Sequence, residues 1–263
     1  MKSYSYISKM KIMVGITYRF DLIIGMVCQI LVMLASVYLW NSAYASHETL
    51  NGLYQSQMVT YAVLAVVVST LFSKGVTWSI ADGVRHGGIA MYFLRPISML
   101  GMFFADDLGE VISNIFIRAI PTLLLGILFF HVSPPVSAPA LLLSLVSVSF
   151  SCLIMWFLSC IIGLITFWAM KFGNLGYLKD MVVAILSGAL IPIWFFPVQL
   201  QNVLNFMPFP YTYQAPIAIY IGQTETLEAF RVIGIQILWS FLLFLLMRFV
   251  WSRAKARVIV QGG

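Results

Sequence analysis

Long apolar blocks separated by short polar breaks constrain this chain more than any other feature. The blocks mostly hold roughly 16 to 25 residues, the length of a helix that crosses a bilayer, and the fourth is long enough to tilt or to extend beyond it. Only 9% of the 263 residues are charged, too few to cover the core of a soluble fold of this size. The pattern predicts an all-α polytopic membrane protein in which residues 1–263 form a single transmembrane domain of about six spans.

The predicted spans are uneven. The third contains Glu110 and Arg118, and Pro121 should kink it. The fifth is short and is broken by Pro192 and Pro197, which lack the N–H donors that a helix needs. The predicted bounds are Leu22–Trp40, Leu53–Phe72, Leu108–Phe130, Ala140–Ala169, Met181–Phe196 and Val232–Val250.

The cations predict that both termini face the cytoplasm. Of the 15 Lys and Arg residues, all but Arg118 and Arg231 fall before the first span, after the second or fourth, or at the end of the sixth. Such an excess marks the cytoplasmic side of a membrane protein. The net charge of +6 therefore reflects topology, and the lack of a basic face with interleaved aromatic residues argues against a nucleic-acid partner.

Residues 74–107, between the second and third spans, are too apolar for a solvated loop and too polar for a span. Within them, residues 82–88 form a polar tip. Composition alone favours an amphipathic helix on the inner leaflet, with a turn at Gly87 and Gly88.

Two motifs carry a resemblance to a known family. The first is RHGGIAMYFLRPIS from Arg85 to Ser98, in which a basic residue and glycines precede LRP. The second joins SGALIPIWFF, from Ser187 to Phe196, to NFMPFPYTYQAPIAIYIG, from Asn205 to Gly222. In their order and their spacing among the spans, the motifs resemble the membrane permease subunits of ABC transporters in the type-two permease superfamily.

The resemblance implies a cytoplasmic coupling helix in residues 74–107 that docks on a separate ABC ATPase subunit. That subunit would bind ATP and Mg, so no cofactor is expected in this chain, which lacks a GxxxxGK[ST] phosphate loop. The resemblance also implies a second permease chain, identical or different, and an amphipathic connecting helix over residues 1–19, for which a plain insertion anchor is the alternative. The coupling contacts would come from Asp82, Gly83, Val84, Arg85, His86 and Gly88, with Arg95 and Pro96 fixing the return to the membrane.

Residues 197–231 are rich in aromatic residues and proline, which suits a re-entrant segment at the outer interface. The resemblance implies a helical hairpin that caps the outer end of a pathway, whereas an aromatic belt at the lipid headgroups explains the same residues. By the same resemblance, the second and fifth spans line the translocation pathway. The residues nominated for it are Tyr61, Leu64, Val68, Ile185 and Ala189.

Arg118 lies deep in the third span, where an unpaired charge costs several kcal/mol. A structural ion pair is expected, either with Glu110 about two turns earlier or with Asp21 at the base of the first span. Small residues four apart, such as Ser159 and Gly163, predict close packing between helices.

The sequence contains no catalytic constellation. The three histidines are far apart without metal-ligand spacing, the three cysteines lie in apolar blocks, and no GxSxG elbow occurs. The chain is therefore predicted to be a non-catalytic subunit without a metal site.

The leading hypothesis is the permease subunit of an ATP-driven exporter in a prokaryotic plasma membrane, surrounded by lipid. Few intramembrane charges and many Met, Phe and Trp residues favour an amphiphilic or hydrophobic substrate such as a drug, a peptide antibiotic or a lipid. One alternative is a secondary transporter or channel that uses Arg118 and Glu110, and another is a membrane enzyme that acts on lipids. Co-purification with a soluble ATPase separates the first hypothesis from the others.

Overall fold

The structure, a computed structural model, describes residues 2–17, 19–73, 75–94, 96–169 and 175–258. Helices dominate, and one short hairpin is the only sheet within those ranges. The helices are α1 Lys2–Thr17, α2 Arg19–Ala43, α3 Gln55–Leu71, α4 Gly75–Arg85, α5 Ile89–Phe93, α6 Met99–Asn114, α7 Ile120–Phe130, α8 Ala138–Ile165, α9 Leu175–Leu186, α10 Val198–Asn205, α11 Gln214–Tyr220 and α12 Thr226–Val258. The remaining elements are strands β1 Thr49–Leu50 and β2 Leu53–Tyr54, a π-helical segment Ile115–Ala119 and a 3₁₀ turn Ile193–Phe195.

Five helical stretches in the described ranges are long and apolar enough to cross a membrane. The second runs through α3 and α4, and the third through α6, the π-helical segment and α7. These stretches confirm the predicted all-α polytopic fold and overlap the predicted first, second, third, fourth and sixth spans. The second and third stretches extend beyond the predicted bounds, into residues 74–107. Their bounds are Ile23–Ala43, Gln55–Arg85, Met99–Phe130, Ala138–Ile165 and Thr226–Arg257.

The predicted fifth span is broken, but earlier in the chain than its prolines suggest. Helix α9 ends at Leu186, and Gly188 has a left-handed φ of +84°, which L side chains rarely adopt. With 12 residues, α9 is about 18 Å long, shorter than the roughly 30 Å of hydrocarbon in a bilayer. Pro192 and Pro197 follow the helix, so the predicted segment Met181–Phe196 begins as helix and continues as turns.

The third predicted span contains a π-helical segment next to its proline. Pro121 lies in the first turn of α7 and has no N–H to offer the preceding turn. Just before the proline, the N–H of Ile120 donates to the carbonyl of Ile115, five residues earlier instead of four. This turn of the helix therefore contains one extra residue. The helix therefore continues past the proline from Met99 to Phe130.

Helix α3 forms the centre of the fold. Every residue from Met58 to Val66 is buried, as expected for a helix that other helices cover on all sides. The core around α3 includes Met33 of α2. A second core joins α4, α8 and α12 through Ile80, Leu164 and Met247. These two cores position the functional residues described next.

Candidate functional site

The predicted coupling residues include an exposed tip between α4 and α5. Helix α4 ends at Arg85, and Gly87 reverses the chain with a left-handed φ of +72° before α5 begins at Ile89. Asp82, Arg85 and His86 are exposed, and Nδ1 of His86 lies 3.0 Å from Oδ1 of Asp82. The tip therefore presents charges of both signs within one turn of helix.

Other members of the predicted coupling set lie beneath the tip or beyond it. Val84 is buried in the second core, and Gly83 packs closely on the start of α5. Gly88 precedes α5 with an ordinary right-handed backbone. Pro96 is exposed, and Arg95 lies outside the described residues. Sequence reasoning placed these residues on one surface, whereas the structure divides them between the surface and the core.

Ser159 of α8 anchors the first turn of α4, the helix that leads to the tip. Thr77 of α4 donates a hydrogen bond of 2.8 Å to the carbonyl of Ser159, and Nζ of Lys179 on α9 donates to the Ser159 hydroxyl at 2.8 Å. One turn further along α8, a Cβ added at Gly163 would lie 3.2 Å from Cβ of Ile80. The predicted close packing at Ser159 and Gly163 is confirmed, and it joins α4, α8 and α9.

Helix α1 lies along α6 over a groove of small residues. Gly101, Ala105 and Gly109 are four residues apart and share one face of α6. Tyr4 contacts Gly101, whereas Ser8 donates to the carbonyl of Ala105 and its backbone abuts Gly109, so the two helices run parallel. Sequence reasoning missed this groove, although the spacing of its small residues was available as a signal.

An ion pair extends the seam between α1 and α6. Nζ of Lys11 is 3.0 Å from Oδ2 of Asp106 and 3.9 Å from Oε2 of Glu110. Burial alone would lower the pKa of Lys11, but the hydrogen bond to Asp106 and the negative charges of Asp106, Glu110 and Asp107 outweigh burial and raise the pKa. Lys11 therefore stays charged and holds α1 to the acidic turn of α6.

Asp107 is a buried carboxylate that sequence reasoning did not single out. Its exposed fraction is 2%. Oγ of Ser73 donates to Oδ1 at 2.6 Å, and Nε1 of Trp156 donates to Oδ2 at 2.9 Å. Asp107 thus links the segment after α3 to α6 and α8. The acidic run at Asp106 and Asp107 is visible in the sequence, but the tryptophan partner on a distant helix is not.

Side chains from distant parts of the chain cover the broken backbone after α9. The Tyr61 hydroxyl donates to the carbonyl of Gly188 at 2.7 Å. The N–H of Gln214 donates to the carbonyl of Ser187 at 3.2 Å, and its side-chain oxygen accepts from the N–H of Ile193 at 2.6 Å. These bonds satisfy backbone groups that hydrocarbon could not satisfy.

The β1–β2 hairpin and α10 complete this cover. The hairpin turns at Asn51 and Gly52, which both have positive φ, as a tight two-residue turn requires. Nδ2 of Asn51 donates to the carbonyl of Trp194 at 3.0 Å, and Nε2 of Gln201 donates to the carbonyl of Phe196 at 2.7 Å. Residues 187–196 therefore form hydrogen bonds with α3, the hairpin, α10 and Gln214.

The residues nominated for the pathway fall into two groups. Tyr61, Leu64 and Val68 are buried in the core around α3. Ile185 is exposed near the end of α9, and Ala189 is half-buried after the break. A pathway role stays a prediction for all of them, and Ile185 is the member best exposed to a second chain or a substrate.

Arg118 lies in the π-helical segment and faces α2. A Cβ added at Gly25 would lie 3.6 Å from Nη2 of Arg118, and among the described residues Nε of Arg118 has no hydrogen-bond partner. Glu110, one of the predicted partners, lies near Lys11 and accepts a hydrogen bond of 3.3 Å from Ser73. The described ion pairs include none between Arg118 and Glu110. The side chain of Asp21, the other predicted partner, lies outside the described part of the chain.

Comparison with protein-family models matches residues 30–262 to the model described as ABC-2 family transporter protein. The matched range begins within α2 and includes the α4–α5 tip, Ser159 and the covered break after α9. No curated protein and no solved structure matches the chain.

Proposed function

Because the chain belongs to the ABC-2 family of transporter proteins, we propose that it is the membrane subunit of an exporter for amphiphilic or hydrophobic substrates. Membership of this family makes the chain a non-catalytic permease subunit of an ABC transporter. In the proposal, a separate cytoplasmic ATPase subunit binds ATP and Mg and supplies the energy.

The observation that carries the proposal is the exposed, firmly anchored tip between α4 and α5. Asp82 and Arg85 are available to a docked ATPase, while the helix behind them packs into the second core. A displacement of α4 reaches α8 and α9 together, because Thr77 and Lys179 both bind Ser159. A movement of the docked ATPase can therefore pass through the tip and α4 to α8 and α9.

Helix α1 gives the ATPase a second contact with the bundle in this proposal. Residues 1–19 would act as the connecting helix, and the seating of α1 on Gly101, Ala105 and Gly109 supports that role over a plain anchor. Because α6 follows the tip in the chain, a movement of α1 and a movement of the tip would both act on α6.

The composition of the long helices supports an amphiphilic or hydrophobic substrate. Neither the 17 residues of α3 nor the 28 residues of α8 include a charged side chain. Apolar helices suit a substrate that itself prefers an apolar environment. The direction of movement, out of the cell, is part of the proposal.

The proposal includes a second permease chain, identical or different, with the pathway between the two. It also places both termini in the cytoplasm of a prokaryotic cell, with residues 197–231 as an outer re-entrant cap. Lys255 and Arg257 in the last turn of α12 support this orientation through the excess of cations on the cytoplasmic side.

The test is reconstitution with an ATPase encoded next to this chain. We expect ATP-dependent accumulation of a fluorescent amphiphile in inside-out vesicles, and a several-fold loss of ATPase binding and transport in Arg85→Glu. Arg253→Glu reverses an exposed charge on α12 and serves as the matched control. Transport by the chain alone down an ion gradient, or normal ATPase binding by Arg85→Glu, would refute the proposal.

A further inference from the structure

An open cavity of about 620 Å³ lies between the first half of α12 and the segment that carries α10 and α11. One part of its lining is polar and charged, with Gln214, Gln223, Glu228 and Arg231. Another part is apolar and aromatic, with Ile235, Leu238, Trp239 and Leu242. The cavity is separate from the α4–α5 tip and from the seam between α1 and α6.

The lining changes from charged to apolar along a single face of α12. Glu228, Arg231, Ile235, Trp239 and Leu242 follow one another at intervals of three or four residues, so they form one stripe. At 1.5 Å per residue, the stripe extends about 16 Å from Arg231 to Leu242. A molecule that fits this stripe has a charged head at the start of α12 and an apolar body of comparable length.

The two charges at the head of the stripe are available to a ligand. Glu228 and Arg231 lie one helical turn apart and both are exposed. Neighbours at this spacing can form ion pairs on a helix. The ion pairs in the described ranges nevertheless include neither residue. The cavity therefore offers a cation and an anion side by side.

We propose that this cavity binds a membrane phospholipid whose head group carries both a phosphate and a primary ammonium, as in phosphatidylethanolamine. The planar guanidinium of Arg231 can hold the phosphate through two parallel hydrogen bonds. Glu228 accepts hydrogen bonds from the ammonium, and the acyl chains follow Ile235, Trp239 and Leu242. Binding holds whether or not the chain exports anything.

Charge complementarity selects this head group over the other common ones. A quaternary ammonium, as in phosphatidylcholine, has no N–H to donate to Glu228. An anionic head group without an ammonium, as in phosphatidylglycerol, could pair its phosphate with Arg231 but would leave the Glu228 carboxylate beside it without a positive partner. Trp194, Phe206, Tyr211 and Trp239 also line the cavity, and aromatic side chains of this kind favour the boundary between head groups and acyl chains.

The test is native mass spectrometry of the full chain taken from bilayers with equal parts of the ethanolamine, choline and glycerol phospholipids. We expect the ethanolamine lipid to remain bound after mild delipidation, and retention to fall about tenfold in Arg231→Gln and in Glu228→Gln. Arg248→Gln on α12 and Glu225→Gln in the residue just before α12 change charges that do not line the cavity, and both variants should retain the lipid. Val232→Trp fills the cavity while leaving both charges, and should cause the same loss.

Several outcomes would overturn this assignment. One is equal or better retention of the glycerol lipid, and another is unchanged retention in both cavity variants. A third is efficient disulfide formation between Val232→Cys residues of two chains with no lipid retained, in a background lacking Cys28. That result would show that a second copy of the chain covers the stripe instead of a lipid.

Discussion

The hydroxyl of Tyr61 donates a 2.7 Å hydrogen bond to the carbonyl oxygen of Gly188. This bond joins α3, in the most buried of the five candidate spans, to the point where the predicted fifth span stops being a helix. Gly188 leaves room for it, because a Cβ at that position would lie 2.8 Å from the Tyr61 oxygen. Two segments that the family resemblance assigned to the pathway are therefore fixed to each other at this end.

Tyr61→Phe should destabilise the protein by about 1–3 kcal/mol, because it leaves the carbonyl of Gly188 without its donor in an apolar environment. The measurement is the free energy of unfolding in detergent micelles. Tyr38→Phe, at an exposed position on α2, is the control and should be close to neutral. Equal stability of the two variants would show that another group satisfies the Gly188 carbonyl.

Gly109→Ala should release α1 from α6, because the added Cβ would lie 2.5 Å from the backbone oxygen of Ser8. Backbone cannot move aside as a side-chain tip can, so we expect a loss of about 1–3 kcal/mol in unfolding free energy. Gly234→Ala is the matched control, since nothing lies within 4 Å of a Cβ there. That change should stabilise α12 slightly through helix propensity. If both variants have a melting temperature equal to or above that of the wild type, Gly109 is not required for the packing of α1 on α6.

Asp107→Leu should cost about 2–4 kcal/mol, because Nε1 of Trp156 and Oγ of Ser73 would both lose their buried acceptor. Asp107→Asn should cost much less, since the Ser73 hydroxyl can rotate and accept from the new amide. Asp106→Leu changes a partly exposed neighbour and should have a smaller effect than Asp107→Leu. Unfolding by denaturant ranks the variants, and a larger loss for Asp106→Leu would contradict this account.

Gly87→Val and Gly88→Val should behave differently at the tip. Gly87 has φ +72°, which costs an L residue about 1–2 kcal/mol, and a β-branched side chain is least tolerated there. Gly88 has a right-handed backbone and open space around it. We expect Gly87→Val to weaken ATPase stimulation in the reconstituted complex while Gly88→Val leaves it near normal. A greater loss of ATPase stimulation in Gly88→Val than in Gly87→Val would show that the turn depends on Gly88 instead.

The positions of the long helices could be predicted from the sequence because lipid imposes a simple rule on length and polarity. Blocks such as Ala140–Ala169 were recognised within a few residues of the observed helix Ala138–Ile165. The π-helical segment beside Pro121 was beyond the reach of that rule, since a proline can be accommodated by a kink or by an extra residue.

The functional contacts were less accessible to sequence reasoning because they join distant segments. The exposed tip at Asp82 and Arg85 was found through local pattern and resemblance. The burial of Val84 beneath it depends on packing against a second core, and the partners of Asp107 lie on other helices. Composition shows which residues are too polar to face lipid, but not which distant side chain will form hydrogen bonds with them.

The bond between Tyr61 and Gly188 also bears on biogenesis. Its two partners are 127 residues apart in the chain. During synthesis, Tyr61 emerges from the ribosome long before Gly188 is made. Until then, the Tyr61 hydroxyl must bond to another group, in the insertion machinery or elsewhere in the chain. In nascent chains stalled before Gly188, the second span should therefore be loosely packed and accessible to chaperones. The final packing of α3 should form only after α9 and Gly188 have been made.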